Sequence, residues 1–270
     1  MGPVRISIVT PSFNQAQYLE RTLESVLNQR GDFSLEYRVV DGGSSDGSVD
    51  ILRRYGERLS WTSERDRGQV DAINKGLCAI SGDIVGWVNS DDVLLPGALD
   101  AVARAFREHP EAEWLHGDCE IIDPDDRPVR KWVSLYKRLR AQRHSFANLL
   151  TENYVSQMTV FWRRSVHDQI GYLDPALHFA FDYDLWLRLA RRGDPLYLPR
   201  KLACFRWYPA SKSGSQFDRQ FQEDFEVAAK YAKPSEAWAM RRKQLKTWAI
   251  VNVYRALALG RLGSSGGPTR

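Results

Sequence analysis

The chain has 270 residues, 43% hydrophobic and 27% charged, enough apolar material for a substantial core in a water-facing protein. A net charge of +4 gives no argument for a nucleic-acid partner, and no run reaches the roughly 18 apolar residues that crossing a bilayer requires. Cys78, Cys119 and Cys204 stand in no metal-ligand spacing, so they read as reduced, buried thiols of a cytoplasmic protein, and Met1-Gly2-Pro3 opens without the charged leader and apolar stretch of a signal peptide.

In chain order, Arg5 to Thr10 predicts a β-branched first strand broken by Pro11. Asn14 and Gln17 predict a capping box for a helix that carries Tyr18, Leu19, Leu23, Val26 and Leu27 and ends near Gly31. A second strand, Tyr37 to Val40, stops on Asp41 and the turn Gly42-Gly43-Ser44-Ser45-Asp46-Gly47, and Val49, Ile51 and Leu52 begin another helix. Strand, acid, small residues and helix are the parts of a nucleotide-binding half-sheet, although neither the dinucleotide fingerprint nor the Walker spacing is present. A short strand around Leu59 to Thr62 leads to the polar loop Ser63 to Gln69, whose Arg65 and Arg67 are candidates to face a diphosphate, or are simply solvated. Val70, Ile73, Leu77 and Ile80 then mark one helical face, closed by Gly82.

The next stretch, Ile84-Val85-Gly86-Trp87-Val88, is apolar on both sides and predicts a central, mostly parallel strand. It stops on Asn89-Ser90-Asp91-Asp92. Adjacent carboxylates raise each other's pKa unless a cation lies between them, and an oxygen-only set suits Mg²⁺ or Mn²⁺. Capping of the helix that opens near Pro96 explains the same two acids equally well.

That helix is expected to run to Arg107, after which Trp114 to Ile122 and Val129 to Val133 predict antiparallel strands about the turn Pro124 to Pro128. Leu135 to Glu152 is basic, then amphipathic, with no firm element. Val160 to Trp162 reads as a short buried strand, Arg164 to Ile170 as a helix closed by Gly171, and Phe181 to Leu189 as a helix with Asp182 and Asp184 in its first turn, where its dipole stabilises either acid. Leu196 to Phe205 is a strand bent or set at an edge by Pro199. A polar loop from Arg206 to Ser213 precedes a helix with Phe217, Phe221 and Phe225 directed to the core. Arg241, Arg242, Lys243 and Lys246, ahead of Trp248 to Val251, make a basic amphipathic helix that suits a membrane interface, the domain itself or a partner. The Gly/Ser tail from Gly263 is expected to be disordered.

Five stretches occur in an order that resembles glycosyltransferase family 2 enzymes, from about Ile6 to about Ser213: Val9 to Asn14, Val40 to Gly47, Gly68 to Gly76, Asn89 to Asp92, and Asp182 to Trp186. The resemblance implies the GT-A fold, an α/β architecture with a mostly parallel central sheet and flanking helices. It implies a nucleotide-sugar-binding half over residues 1–110 and an acceptor-binding, catalytic half over 111–215, leaving a helical extension over 216–262 and a tail over 263–270. By the same resemblance Thr10, Pro11, Asp41 and Asp91 line the nucleotide-sugar site, joined by Arg67 from the polar loop. Asp92 holds a divalent ion, Mn²⁺ or Mg²⁺, and Asp182 is the catalytic base. Phe181 stands where the family often has Glu, and Tyr208 where many members have a metal-binding His. The implied activity is metal-dependent, inverting transfer of a sugar from a UDP-, GDP- or dTDP-sugar to a glycan or glycolipid hydroxyl, in bacterial surface polysaccharide or glycolipid synthesis. It would take place in the cytoplasm, with peripheral contact at the inner membrane face through the C-terminal helix as an option. The alternatives are a sugar-phosphate nucleotidyltransferase, which the lack of a glycine-rich N-terminal loop with a following basic residue disfavours, and a non-catalytic sugar-nucleotide-binding partner protein.

Overall fold

The computed structural model describes residues 3–209, 211 and 217–249. The tail from Gly263, the part of the basic helix from Ile250 onward, and most of the late loop after Pro209 lie outside them. Four strands form the parallel half of the sheet in the order β3 (Ser60–Ser63), β2 (Phe33–Asp41), β1 (Val4–Ser12), β4 (Ile84–Trp87). Every residue of β4 is buried, as its two-sided apolar sequence requires. Alternation sends its neighbours into different cores. Ile84 and Val88 join Ile6, Ile8 and the buried face of helix α1 (Ala16–Leu27), whereas Val85 and Trp87 join Val9 and helix α3 (Gln69–Cys78). Helix α2 (Ser48–Tyr55) packs beside α1 and buries Ile51, Leu52 and Tyr55 in the same core.

Helix α3 sits close enough to β1 that a Cβ on Gly76 would lie 2.3 Å from Cγ1 of Val9. Gly76→Ala is therefore expected to lower unfolding stability by about 1–3 kcal/mol through overpacking, read as a reduced urea midpoint at constant m. An unchanged midpoint would mean that the helix and strand can separate without cost.

Beyond β4 the sheet changes character. Strand β8 (Val160–Arg163) pairs antiparallel with both β4 and β6 (Trp114–Ile122), β9 (Leu196–Arg206) runs parallel to β6, and the two-residue strands β5 (Val93–Leu94) and β7 (Pro128–Val129) complete the edges. Pro199 falls where the β6–β9 register slips, consistent with the expected bend. Helix α4 (Ala98–Glu108) begins just after Pro96 and Gly97. Helices α5 (Lys131–Ala141) and α6 (Phe146–Thr151) occupy the segment without a firm expectation, followed by α7 (His167–Ile170), α8 (Phe181–Ala190), α9 (Phe217–Tyr231) and a helical stretch over 237–249.

Four expectations change. The strand expected to reach Val133 ends at Val129, because Arg130 takes a left-handed conformation (φ 50°) and α5 starts behind it. Asn14 also has positive φ and does not cap α1; its side chain instead accepts a hydrogen bond from the Ser45 amide, 2.9 Å away, tying the loop after β1 to the loop after β2. Phe221, expected in the core, lines the cavity described below, and Cys78 is exposed whereas Cys119 and Cys204 are buried.

Four buried indoles fix α8 against the sheet. Trp186 stacks on Trp87 at 5.5 Å and on Trp114 at 6.3 Å, and Trp162 meets Trp87 edge-on at 5.7 Å. Such large rings dominate local packing, so the N-terminus of α8 is held in a set relation to the end of β4. Glu223 of α9 secures the approach to α8 by accepting from the amides of His178, Phe179 and Ala180 at 2.8, 2.8 and 2.9 Å.

Candidate active site

A cavity of about 1270 Å³ opens beyond the carboxyl ends of β1, β2 and β4, the place where open α/β sheets gather ligands. Pro11 and Ser12 contribute from β1, Gly42 and Gly43 from the turn after β2, Asn89, Ser90 and Asp91 from the end of β4, Phe181 and Asp182 from α8, and Trp207 and Tyr208 from the late loop.

The two adjacent acids have different surroundings. Asp92 is fully buried and does not line the cavity. One of its carboxylate oxygens accepts from the Arg206 amide at 3.0 Å and the other from the Asn89 side-chain amide at 3.2 Å. The place expected for Asp92 at a divalent ion therefore does not match its geometry, and Asp91 is the member that reaches the cavity. Its Oδ2 accepts from the Tyr208 hydroxyl at 3.0 Å, which in turn accepts from Gln15 at 3.2 Å. Burial raises the Asp91 carboxyl above its ordinary value against that hydrogen bond, and burial followed by the Asp91 charge pushes Asp92 well above it. Among the described residues no three His, Cys, Asp or Glu side chains gather as a ready metal cage. One cavity-facing carboxylate beside an amide and a phenol is instead a sparse, hard-oxygen donor set, of the kind that fits Mg²⁺ or Mn²⁺ when substrate oxygens and water fill the remaining positions.

A buried arginine underlies the pair. Arg206 is 1% exposed; its Nε donates to the Asp91 carbonyl at 2.9 Å, its Nη1 donates to the carbonyls of Asp123 and Pro124 at 2.9 and 3.2 Å, and its Nη2 pairs with Asp126 at 2.6 Å. Asn89 is held by Gln69 at 2.9 Å and by Gln157 at 3.2 Å, and Gln157 donates to the Trp87 carbonyl at 2.7 Å. Sequence reading passed over Arg206 and Gln157, since only the fold brings them to β4.

The remaining expected residues divide. Pro11 lines the cavity, whereas Thr10 is buried behind it, with its hydroxyl 2.9 Å from that of Tyr37. Asp41 is fully buried and accepts from the Gly43 and Ser44 amides at 3.1 and 2.9 Å and from the Ser44 and Ser63 hydroxyls at 2.6 and 2.7 Å. It shapes the turn and does not itself line the cavity, while Gly42 and Gly43 do. Asp66 approaches that turn so closely that a Cβ on Gly42 would lie 2.6 Å from Asp66 Oδ2. Arg67 is 85% exposed, paired with Asp71 at 2.8 Å, and does not line the cavity; its neighbours Arg65 and Asp66 do. Arg67 pairs instead with Asp71 in the first turn of α3, a contact that composition alone does not reveal.

At α8 the two acids again separate. Asp184 is 1% exposed and bound up with Arg188 at 2.9 Å, the Tyr231 hydroxyl at 2.7 Å and Lys230 at 3.3 Å, so it joins α8 to α9. Asp182 is half-buried, accepts from the Tyr183 amide at 2.6 Å, and lines the cavity. Asp224 and Lys243 line the same cavity; burial raises the Asp224 carboxyl to about 6 against the Lys243 charge, and burial lowers the buried Lys243 amine against the Asp224 charge.

The family model for glycosyl transferase family 2 matches residues 7–171. An uncharacterized glycosyltransferase of Bacillus subtilis, YwdF, is 28% identical over 192 residues, covering 70% of this chain and 69% of its own. A PGL/p-HBAD biosynthesis glycosyltransferase of Mycobacterium bovis is 29% identical over 194 residues, covering 70% of each. Among solved structures, Staphylococcus aureus TarS 1–349 in complex with UDP-GlcNAc is similar with a TM-score of 0.66 at 19% identity, over 87% of this chain and 69% of that one. The mannosyltransferase PcManGT of Pyrobaculum calidifontis, in complex with GDP-Man and Mn²⁺, gives 0.65 at 19% identity, over 96% and 81%. These likenesses agree with the mixed α/β, mostly parallel GT-A architecture read from the sequence.

Proposed function

The chain belongs to glycosyl transferase family 2 and is a glycosyltransferase, and from that premise we propose that it transfers a sugar from a nucleoside-diphosphate sugar to an acceptor hydroxyl with inversion, assisted by a divalent cation. The observation that carries this reading is the convergence on one cavity of Asp91, from the end of β4, and Asp182, from the first turn of α8. The nucleotide lies against Pro11 and the Gly42–Gly43 turn, which Asp41 holds from below. Asp91, with Asn89 beside it, holds the cation, a role moved from Asp92 because the latter's oxygens are buried and occupied. Such an ion, when bound, neutralises charge that develops on the departing diphosphate. Asp182 accepts the acceptor's proton as its oxygen attacks the anomeric carbon from the side opposite the leaving group. A single displacement of that kind inverts the centre and needs no protein nucleophile. TarS and PcManGT, whose structures hold UDP-GlcNAc and GDP-Man with Mn²⁺, support a nucleotide-sugar donor and Mn²⁺ or Mg²⁺. On this reading the acceptor is a glycan or glycolipid of bacterial surface polysaccharide or glycolipid synthesis, met in the cytoplasm, in keeping with the likeness to a PGL/p-HBAD biosynthesis glycosyltransferase. Residues 1–110 then serve as the donor half and 111–215 as the acceptor half, with the extension over 216–262 adding Asp224, Lys243 and Lys246 to the cavity wall.

The test incubates the protein with UDP-, GDP- and dTDP-sugars, Mn²⁺ and a panel of alkyl glycosides, following nucleoside diphosphate release and the anomeric signal of the product by NMR. Turnover of one nucleotide class, with product of opposite anomeric configuration to the donor, is expected. A retained configuration would overturn the single-displacement reading.

A further inference from the structure

Two helices that line the cavity carry their apolar residues on the wrong side for a globular protein. Val133, Ser134 and Lys137, at helical spacing along α5, line the cavity with Arg130 just ahead of the helix, whereas Trp132, Leu135 and Leu139 are 74%, 57% and 50% exposed. The stretch over 237–249 repeats the arrangement: Lys243, Lys246 and Thr247 line the cavity, and Trp238, Leu245 and Trp248 are 52%, 69% and 69% exposed. At about 100° per residue the cavity-lining and exposed sets fall on opposite faces of each helix. A surface helix ordinarily turns its apolar stripe toward the core. Lys246 ties the two helices together, donating to the Tyr136 hydroxyl at 3.2 Å and to Glu152 at 2.7 Å.

The two segments themselves carry charges of one sign, and the adjoining acid Glu152 is engaged by Lys246. Residues 130–151 hold six Arg or Lys and no Asp or Glu, and residues 237–249 hold four and none. Lys131, Arg138, Arg143, Arg241 and Arg242 are exposed on the same segments. Outward tryptophans and leucines interleaved with basic residues match a bilayer interface, where indoles settle at headgroup level and cations meet anionic lipid. A second copy of this chain fits less well, since an isologous contact would set arginines against arginines.

We propose that the exposed face of α5 and the 237–249 helix docks on an anionic lipid bilayer, so that the cavity walled by their opposite faces opens beside the membrane surface. The docking stands on this face alone; its use in presenting a lipid-linked acceptor rests on the glycosyltransferase reading. Helix α5 belongs to the acceptor half of the proposed function, and the 237–249 helix to the extension that adds Lys243 and Lys246 to the same cavity wall. Bilayer contact there leaves the donor half free to exchange nucleotide with solvent.

Co-sedimentation of the full-length protein with phosphatidylglycerol/phosphatidylcholine vesicles and with pure phosphatidylcholine vesicles tests the docking. Binding to the anionic vesicles is expected, weakened by salt. Trp132→Ser with Leu139→Ser, and separately Trp238→Ser with Leu245→Ser, should each lower partitioning by about tenfold or more through lost apolar contact. Arg241→Glu with Arg242→Glu keeps the apolar face and should abolish the preference for anionic lipid. No vesicle binding, binding that the apolar variants leave unchanged, or a concentration-dependent dimer that those variants dissolve would each overturn the proposal. A thermal shift with nucleoside diphosphate and Mn²⁺ on the same samples reports separately on the donor site and on the folding of each variant.

Discussion

Asp182→Asn is expected to reduce sugar transfer by about 10²–10⁴-fold, the range a positioned general base contributes, while nucleoside diphosphate affinity stays as it was. The side chain is the half-buried, cavity-lining acid of α8, and its replacement by an isosteric amide removes the basic oxygen without emptying space. The indole packing of Trp186 on Trp87 and Trp114 does not involve it, so α8 should keep its place. Asp184→Asn provides the contrast. That residue holds Arg188, Lys230 and Tyr231, so its loss should lower stability more than turnover per folded molecule. The two variants are compared by kcat at saturating donor and by nucleotide titration. Equal kcat for wild type and Asp182→Asn would remove Asp182 from the chemistry.

Arg206→Met is expected to cost about 3 kcal/mol of unfolding stability and to weaken nucleotide binding as well. The methionine keeps apolar bulk but leaves the carbonyls of Asp91, Asp123 and Pro124 without their donor, at about 1 kcal/mol or more each when buried. The ion pair with Asp126 adds little, because that carboxylate is 40% exposed. The stacking of the guanidinium over Tyr18 at 4.7 Å is lost too. Urea unfolding at constant m reads the stability, and the accompanying loss of nucleotide affinity follows from the freed Asp91 backbone. A variant as stable as wild type would show that the loop between β4 and β5 holds its shape unaided.

Much of the parallel half was legible because its strands are dense runs of β-branched and aromatic residues ending on turn residues, and local pattern decides such elements. The stop at Asn89-Ser90-Asp91-Asp92 was legible for the same reason. Which of the two acids faces outward was not, since Asn89 to Asp92 form a turn closed by the Asp92 amide on the Asn89 carbonyl, and the deciding contacts come from Arg206 and Asn89. Likewise the pairing of Arg67 with Asp71, while Arg65 and Asp66 line the cavity, is a tertiary outcome that the loop's sequence does not announce. Asp41 shows a further limit: its carboxylate is consumed by four donors of its own turn and of β3, which spacing does not reveal. Helix α5 escaped the reading because its first turn, Lys131 to Val133, was given to the strand after the Pro124 to Pro128 turn, whereas the left-handed Arg130 ends that strand.

The most direct measurement is a thermal-shift titration of wild type, Asp91→Ala and Asp92→Asn with UDP, GDP and dTDP, each with and without Mn²⁺, since a ligand bound only by the native state raises the melting temperature. The geometry predicts a shift for one nucleotide that requires the metal in wild type, is lost in Asp91→Ala and survives, from a lower starting temperature, in Asp92→Asn. A metal-dependent shift that persists in Asp91→Ala, or none with any nucleotide, would contradict the assignment of the donor site to the end of β4.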